Sequence, residues 1–440
     1  MLDINLIREH PEIVEKDLEK RGLNEKIALV GELRKKDAEW KNLKMEVDAL
    51  RHSRNSISKE VGEAKKAGKD AKQLLKKASE IPILIAEKEV TLVQLEKEIR
   101  EILMSFPNIL DSEIPVGLGE QDNKTVRTFG KKPNFKFPVK SHVDILEELK
   151  IADIARAGKI SGARFWFLKG ELELLEMALR KYALDFLYKK GFTPIEPPFM
   201  ISRKPYEGVV DIRDFEDVMY KIEGEDLYLI ATSEHPLTAM FMDEILEEEF
   251  LPIKLAGNST NFRKEAGSHS KDTKGIFRGH QFNKIEQVVI CKPEDSKKHH
   301  QEILKNLEDF FKSLGLHCRT VLMCTAEMGT VASIKYDLEA WMPAQNCYRE
   351  VGSCSNCTDY QARRLAIRYR TKEGNKFVHT LNSTCIATSR ALVAIIENFQ
   401  QKDGSIKVPK ILVKYMDGMT VIGGKIKQKV AKKTSKKAKR

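Results

Sequence analysis

Two long stretches of the sequence place apolar residues three or four positions apart, and they constrain the fold more than any other feature. The first covers residues 33–61 and the second covers 74–102, where only Lys88 interrupts the pattern. A seven-residue repeat of this length is typical of helices that pack side by side. Because the connection is short, the pattern predicts an antiparallel helical hairpin, with each helix about 50 Å long. We expect Pro82 to kink or interrupt the second helix.

The outer half of this hairpin is basic. From residue 51 to residue 77 there are nine Lys or Arg and three acids. Such a run is usually only a solvated face, but here it lies near the tip of a projecting arm, where phosphates can be contacted. We therefore favour salt-dependent nucleic-acid binding over a purely solvated face. The predicted contact residues are Arg51, Arg54, Lys59, Lys65, Lys66 and Lys69.

A second domain follows a segment rich in Pro, Gly and acids, FPNILDSEIPVGLGEQDN, which predicts a linker. Beyond it, a helical pattern over residues 171–190 alternates with strand-like runs such as DLYLIAT, KIEQVVIC and CRTVLMC. Their hairpin-like spacing favours an α+β fold, an antiparallel sheet flanked by helices, over a doubly wound one. The predicted divisions are the arm at 1–105, the linker at 106–125, the second domain at 126–424 and a basic tail at 425–440.

The net charge of +11 is concentrated at the end of the chain. Residues 425–440 contain eight Lys, one Arg and no acid, so 11 − 9 leaves +2 for the rest. This composition predicts disorder, and loose RNA binding and simple solubilisation are equally good interpretations of the tail. The sequence has no apolar run of about 18 residues and no signal-like start, so we expect neither a membrane span nor secretion. Seven cysteines in a chain of 440 residues predict reduced thiols in a cytosolic protein.

Three local patterns suggest sites that we reject. The segment 62–70, GEAKKAGKD, resembles a phosphate loop, but its glycine spacing is wrong and no Ser or Thr follows the lysine. Cys354 and Cys357 form a CxxC pair, but no second pair is spaced to complete a zinc site. His299 and His300 begin a charged helix and are expected to be solvated.

The segment 261–286 carries charges that a buried hairpin does not normally tolerate, because an unpaired buried charge is very costly. Arg263 and Glu265 end its first strand-like part, and Arg278 and Glu286 belong to the second. Either this hairpin is a solvated edge, or its charges face a ligand that is itself charged.

A nucleoside triphosphate and a small amino acid are ligands that would use such residues. The triphosphate requires guanidinium groups, a divalent ion and a stacking surface, and the amino acid requires an acid and a cation. Residues of these types are Arg263, Arg278 and Arg390 for phosphates, Glu350 and Ser353 for Mg²⁺, and Glu234, Glu265 and Glu286 for amines or hydroxyls. Periodicity alone does not select this ligand pair.

Five segments together resemble a known family. They are GFTPIEPPFM (191–200), TSEHPL (232–237), NFRKEAGSHSKDTKGIFRGHQF (261–282), EVGSCSNCTDYQARR (350–364) and HTLNSTCIATSRALVAIIENFQ (379–400). In this order they are similar to motif 1, the serine-loop TxE, motif 2, the metal and ATP segment, and motif 3 of the seryl-tRNA synthetases. The arm, the linker and SGARFWFLKG (161–170) also match in position. The chain resembles the non-zinc, archaeal or cytosolic form throughout, except for its basic tail.

The resemblance implies a class II catalytic domain that works in two steps. Serine and ATP form seryl-adenylate and pyrophosphate, and the terminal adenosine of tRNA then accepts the seryl group. The implied catalytic residues are Arg263, Arg390 and Glu350, with Mg²⁺ on Glu350 and Ser353 and no zinc. The implied serine-binding residues are Thr232, Ser233, Glu234, Arg263, Glu286 and Thr384. The implied ATP-binding residues are Arg263, Lys264, Glu265, Arg278, Gly279, Phe282, Glu350, Val351, Gly352, Ser353 and Arg390.

The resemblance also implies specific roles within the ATP site. Arg263 is expected to bridge the serine carboxylate and the α-phosphate, and Arg390 to hold the γ-phosphate of a bent ATP. Glu265 is expected to contact the adenine amino group, and Phe282 is expected to stack on the adenine ring.

The chain departs from the family pattern at three positions. Gly352 replaces a usual serine, Gly279 a usual valine and Ser270 a common glycine. We expect the first two changes to weaken ATP binding or to widen its pocket.

The partners implied by the resemblance are tRNA(Ser), ATP, L-serine and a second copy of the chain, joined around motif 1. The arm is expected to lie across the tRNA elbow and its long variable arm, and whether tRNA(Sec) is also a substrate depends on the host. One alternative is a paralogue that loads a carrier protein, although such paralogues lack a basic arm of this kind. Another is an RNA-binding paralogue with a decayed site, which the presence of Arg263, Glu286, Glu350 and Arg390 argues against.

Overall fold

The computed structural model describes residues 1–212, 216–265 and 274–423. These residues form two compact units that divide between Ile109 and Leu110. Ser270 and the predicted basic tail at 425–440 lie outside the described residues.

The first unit is helical. Its helices are α1 (Ile4–Glu9), α2 (Pro11–Lys20), α3 (Ile27–Lys66) and α4 (Lys72–Ser105). The predicted hairpin is confirmed, and both long helices extend beyond the predicted repeats. Along their seam the buried residues are Val47, Ile81, Ile85 and Leu92, and the partly buried residues packed against them are Trp40, Leu43, Leu50 and Ile57.

Ion pairs between α3 and α4 flank this seam. Lys88 Nζ lies 2.6 Å from Glu46 Oε2, and Lys36 Nζ lies 2.6 Å from Glu98 Oε2. The later residue of α3, Glu46, pairs with the earlier residue of α4, Lys88, and Lys36 pairs with Glu98. The two helices are therefore antiparallel. Lys88 interrupts the apolar repeat because its side chain forms one of these pairs.

Pro82 does not interrupt α4, which runs without a break from Lys72 to Ser105. The predicted interruption is therefore wrong, and a kink at Pro82 stays a prediction. A proline removes one backbone donor from a helix, but Pro82 is on the exposed face, where water can hydrate the carbonyl left without its bond.

The second unit contains an antiparallel-dominated sheet with flanking helices. Its helices are α5 (His142–Leu149), α6 (Ile154–Ser161), α7 (Glu171–Tyr188), α8 (Arg203–Val209), α9 (Glu234–Ala239), α10 (Ser296–Ser313), α11 (Tyr360–Leu365) and α12 (Thr388–Asn398). The strands of the main sheet are β1 (Lys124–Phe129), β4 (Thr193–Ile195), β8 (Ile253–Phe262), β9 (Gln281–Cys291), β10 (Cys318–Leu322), β11 (Ile334–Met342), β12 (Cys347–Asn356) and β15 (His379–Ala387). The shorter strands are β2 (Ala152–Asp153), β3 (Phe167–Leu168), β5 (Met200–Ile201), β6 (Tyr228–Leu229), β7 (Ile245–Glu247), β13 (Arg368–Thr371), β14 (Gly374–Phe377), β16 (Ile406–Lys407) and β17 (Val421–Ile422).

Within the described residues, the main sheet has eight strands in the order β1-β10-β11-β12-β15-β9-β8-β4. All neighbouring strands are antiparallel except β4 and β8, which are parallel. The predicted α+β class is confirmed, as are the helix at 171–190 and strands within KIEQVVIC and CRTVLMC. Helices α7, α10 and α12 pack against the central strands and share one hydrophobic core with them.

His299 and His300 are buried, with 4% and 3% exposure, so the prediction that they are solvated is wrong. They belong to the face of α10 that packs on β12 and β15. His300 Nε2 lies 3.4 Å from the backbone oxygen of Cys354, and burial lowers the pKa of His300 to about 4. The charged residues of the helix hid this packing in the sequence, because they alternate with a buried face that also includes Ile303, Leu304 and Phe310.

Within the described ranges, no helix has both the length and the apolar character needed to cross a bilayer. All seven cysteines are thiols without disulfide bonds.

Candidate active site

Three charged residues of the 261–286 hairpin, Arg263, Glu265 and Arg278, lie in the segment that connects β8 to β9. Beyond β8, Glu265 has a left-handed φ of 52°, and its Oε2 lies 3.1 Å from Arg278 Nη1. The Arg263 guanidinium lies 5.3 Å from the centre of the Phe282 ring. Glu265 and Arg278 thus contact each other, and Arg263 contacts an aromatic ring.

A second ion pair comes from distant segments. The Nη1 atom of Arg390, on α12, lies 2.9 Å from Oε1 of Glu350, on β12. Dehydration alone would raise the pKa of Glu350, but the charges of Arg390 and Lys335 outweigh it and hold this pKa at about 2. Glu350 is therefore ionised at neutral pH while 42% of its side chain stays exposed. Burial and the charge of Arg390 lower the pKa of Arg263.

These groups line a cavity of about 80 Å³, which we call the cationic cavity. Its lining residues are Arg263, Glu265, Phe277, Arg278, Gly279, Phe282, Lys284, Glu350, Val351, Gly352, Ser353, Thr384, Ala387, Ser389 and Arg390. The structure thus brings together every residue predicted to bind ATP except Lys264, whose side chain is exposed outside the cavity.

A neighbouring cavity of about 350 Å³ contains the acids Asp211, Glu234 and Glu286, and we call it the acidic cavity. Thr232 and Arg263 also line it. Of the other residues predicted to bind serine, Thr384 lines the cationic cavity, and its hydroxyl donates to Glu286 Oε2 at 3.4 Å. Ser233 is not brought to the cavity, because its buried hydroxyl donates to the backbone oxygen of Gly257.

Glu234 is held by a neutral side chain. Gln361 Nε2 donates to Glu234 Oε1 at 3.0 Å and to the Val209 carbonyl at 3.0 Å. The Thr380 hydroxyl donates to Gln361 Oε1 at 2.6 Å, which fixes the direction of the amide. Burial, with a further contribution from the charge of Glu286, raises the pKa of Glu234 to about 7. Gln361 was missed in the sequence because nothing local connects it to Glu234.

The two cavities share Arg263, Lys284 and Ser353. Lys284 Nζ lies 2.5 Å from Glu286 Oε2, and the pair is almost fully buried. Sequence reasoning missed Lys284 although a signal was present. It lies midway between Phe282 and Glu286, and residues two apart on a strand face the same side.

Asp337 was also missed, because it is opposite Ser353 only through the β11–β12 register. Its Oδ1 lies 3.3 Å from Lys335 Nζ, and burial together with the charge of Glu350 raises its pKa. Among the described residues, no three His, Cys, Asp or Glu side chains form a group suited to a metal ion. Cys354 and Cys357 are both buried.

The two unusual glycines are closely surrounded. A Cβ on Gly279 would lie 2.2 Å from Cζ3 of Trp166, so the expectation of a wider pocket there is wrong. A Cβ on Gly352 would lie 3.0 Å from Leu307 Cδ1 and 3.2 Å from Thr384 Cβ. The space that a side chain would take at Gly279 or Gly352 is thus occupied by neighbouring residues and is not empty.

The basic residues predicted on the arm lie in the first unit. Arg54, Lys59, Lys65 and Lys66 are exposed on α3, and Lys69 is exposed in the turn that follows. Arg51 is also exposed, but its Nη2 lies 2.7 Å from Glu89 Oε1 on α4.

Comparisons with known proteins agree over both units. Residues 1–110 match the family model described as the seryl-tRNA synthetase N-terminal domain, and residues 218–399 match the tRNA synthetase class II core domain (G, H, P, S and T). The chain is 53% identical over 422 residues to the serine–tRNA ligase of Methanocella arvoryzae, covering 95% of this chain and 99% of that protein.

Solved structures give the same result. The seryl-tRNA synthetase of Pyrococcus horikoshii complexed with ATP is 48% identical, with a TM-score of 0.91 over 96% of this chain and 99% of that one. The cytoplasmic serine–tRNA ligase of Naegleria fowleri in complex with AMP is 39% identical, with a TM-score of 0.86 over 97% of this chain and 99% of that one.

Proposed function

The chain belongs to the seryl-tRNA synthetase family, and we propose that it activates L-serine with ATP and transfers it to tRNA(Ser). One observation carries this proposal. Arg263 lines both a cavity rich in cations, which suits a triphosphate, and a cavity with three acids, which suits an amino acid. A bridge between the serine carboxylate and the α-phosphate requires a cation at this junction.

In the first step, a serine carboxylate oxygen attacks the α-phosphorus of ATP and pyrophosphate leaves. Glu234 and Thr232 are suited to the ammonium, and Glu286, which already accepts from Thr384, is suited to the side-chain hydroxyl. Arg263 and Arg390 counter the negative charge that develops on the phosphates, and Phe282 offers the adenine a stacking face. Catalysis is then mostly orientation and electrostatics, without a protein nucleophile.

Selection of serine follows from the same contacts. A site that hydrogen-bonds a substrate hydroxyl rejects the analogue without it by about 10⁴-fold, because its own buried polar groups then remain unpaired. Glu286 is 1% exposed, so alanine would leave that carboxylate without the hydroxyl donor.

Mg²⁺ is proposed as the metal that accompanies ATP. Glu350 and Ser353 are oxygen ligands of the kind Mg²⁺ prefers, and the low pKa of Glu350 keeps its carboxylate ionised. Bound there, the ion would supply positive charge to the phosphate oxygens.

In the second step, a ribose hydroxyl of the terminal adenosine attacks the seryl carbonyl carbon and AMP leaves. The exposed basic residues of the arm are proposed to bind the phosphates of tRNA(Ser).

A homodimer joined around motif 1 is proposed, and α7, the helix that directly precedes this motif, supports it. Leu174, Met177 and Tyr188 are 48%, 52% and 68% exposed, and their spacing gives one face of the helix. An apolar face of this kind is typical of a protein interface. Light scattering tests the dimer against the chain mass of 50.3 kDa. The reduced thiols favour a cytoplasmic location.

Serine-dependent exchange of pyrophosphate into ATP, measured beside charging of tRNA(Ser), tests the proposed function. We expect both reactions. Exchange without charging, together with transfer of serine to a carrier protein, would indicate the carrier-loading alternative. RNA binding without exchange would indicate a decayed site.

A further inference from the structure

The indole ring of Trp166 lies directly behind Gly279 in the wall of the cationic cavity. A Cβ at position 279 would be 2.2 Å from Cζ3 and 2.3 Å from Cη2 of the ring, and 2.8 Å from the backbone oxygen of Arg164. Gly279 does not have a left-handed φ, so its backbone alone does not demand glycine. The neighbouring ring and carbonyl exclude a side chain at this position.

The segment that carries Trp166 is fixed to the hairpin at Glu265 and at His280 by the two residues that precede the ring. The His280 backbone N–H donates to the Arg164 oxygen at 3.2 Å, and Arg164 Nη1 donates to the Glu265 backbone oxygen at 3.1 Å. Phe165 stacks on His280, with ring centres 5.1 Å apart. These contacts determine where the indole lies relative to Gly279.

Trp166 also lines a third cavity, of about 220 Å³, which we call the aromatic cavity. Phe165 and Phe167 contribute further aromatic walls, and Phe282 and Ser389 line both this cavity and the cationic cavity. Space therefore exists on both sides of a thin partition that includes Phe282, Gly279 and Trp166. The space behind the partition is larger than the 80 Å³ in front of it.

We propose that Trp166 limits the size of the nucleotide base that the cationic cavity accepts. Its ring, held against Gly279, closes this cavity toward the aromatic cavity, so that adenine fits and a base with a bulky substituent does not. The inference rests on the proposed function, since it takes ATP as the ligand of the cationic cavity. Removing the ring should join the two cavities and admit the larger base.

The test compares Trp166→Ala with the wild type in serine-dependent pyrophosphate exchange, using ATP and N6-benzyl-ATP and 2-phenylethynyl-ATP as enlarged substrates. We expect the kcat/KM of at least one enlarged nucleotide, relative to that of ATP, to rise by about tenfold or more. A single extra methylene in an apolar pocket is discriminated by about 10–200-fold. Trp341→Ala is the matched control, because Trp341 packs on Tyr348 and lines none of these three cavities.

Unchanged ratios for both enlarged nucleotides in Trp166→Ala would overturn the inference and leave a ring that only supports the hairpin. The inference would also be overturned if Trp341→Ala raised the kcat/KM ratios of the enlarged nucleotides as much as Trp166→Ala does. Failure of the proposed function has a different signature, since the wild type would then not exchange pyrophosphate with ATP at all.

A second variant set keeps the inference testable if Trp166→Ala does not fold. We expect Gly279→Ala to raise the KM for ATP by about tenfold while the KM for serine changes less than about twofold. Trp166→Phe in the same chain removes Cζ3 and Cη2 and should recover most of this loss. If the effects of Gly279→Ala and Trp166→Phe on the KM for ATP were purely additive, this would contradict a direct contact between the Trp166 ring and residue 279.

Discussion

The arm and the catalytic pocket both depend on charged side chains, but they use them in opposite environments. On the arm, Arg51 and Glu89 are 45% and 44% exposed. In the pocket, Lys284 and Glu286 are 8% and 2% exposed. An exposed pair contributes about 0–1 kcal/mol, whereas removal of one partner of a buried pair costs about 3–5 kcal/mol. We therefore expect function to be spread over many residues of the arm and concentrated on a few residues of the pocket.

The largest effect is expected from Arg263, at the junction of the two cavities. Arg263→Ala should lower kcat/KM for pyrophosphate exchange by about 10³-fold, because it removes a cation that stabilises charge in the transition state. Arg156→Ala is the control, since its side chain is 76% exposed on α6. Circular dichroism should show a folded variant. Exchange at more than about a tenth of the wild-type rate would remove Arg263 from the reaction centre.

The second largest effect, a loss of tRNA charging, is expected only when many basic residues of the arm are changed together. Changing Arg51, Arg54, Lys59, Lys65, Lys66 and Lys69 together to Gln should lower kcat/KM for tRNA charging by about 10²-fold and flatten its salt dependence. Pyrophosphate exchange should not change, since none of these residues lines a pocket cavity. Equal loss of both reactions would mean that the arm supports folding rather than tRNA binding.

An intermediate effect concerns pH. The serine ammonium requires ionised Glu234, whose pKa is raised to about 7, so lowering the pH protonates it and weakens binding. The KM for serine should therefore rise about tenfold per pH unit below about pH 7, while the KM for ATP follows a different profile.

Gln361→Leu sharpens this prediction. Loss of the donor to Glu234 should raise the pKa of that carboxyl further and shift the serine profile to higher pH. A pH-independent increase in the serine KM would instead indicate a general packing defect around Val209, which Gln361 also contacts.

The smallest effect is expected for a single residue of the arm. Lys59→Gln should lower tRNA charging by less than about threefold and reduce the salt slope by about one unit. A loss as large as that of the combined variant would show that the arm, like the pocket, depends on one residue.

The two regions also differ in how much of them the sequence predicts. The arm follows from a local period, so its hairpin was predicted with ends only a few residues short. Lys88 does not fit the apolar repeat. Its ion pair with Glu46 accounts for a lysine at this position, but this pair is visible only once the two helices are placed side by side. The cavities depend on strand register and on segments far apart in the sequence, which periodicity does not specify.

Within the pocket, the predicted residues came from a family resemblance, whereas the missed ones are defined by three-dimensional neighbours. Gln361 reaches Glu234 across 127 positions, and Asp337, which lines neither cavity, is paired with Ser353 only through the sheet register. Trp166 fills the space at Gly279 from a segment more than a hundred residues earlier, so the wider pocket expected from sequence does not exist.

A crystal structure with Mg²⁺, a non-hydrolysable ATP analogue and L-serine tests the central claim most directly. We predict Arg263 between the serine carboxylate and the α-phosphate, with Arg390 on the terminal phosphates and Glu234 at the ammonium. Nucleotide bound elsewhere, or Arg263 turned away from both ligands, would contradict the claim that the two cavities form one reaction site.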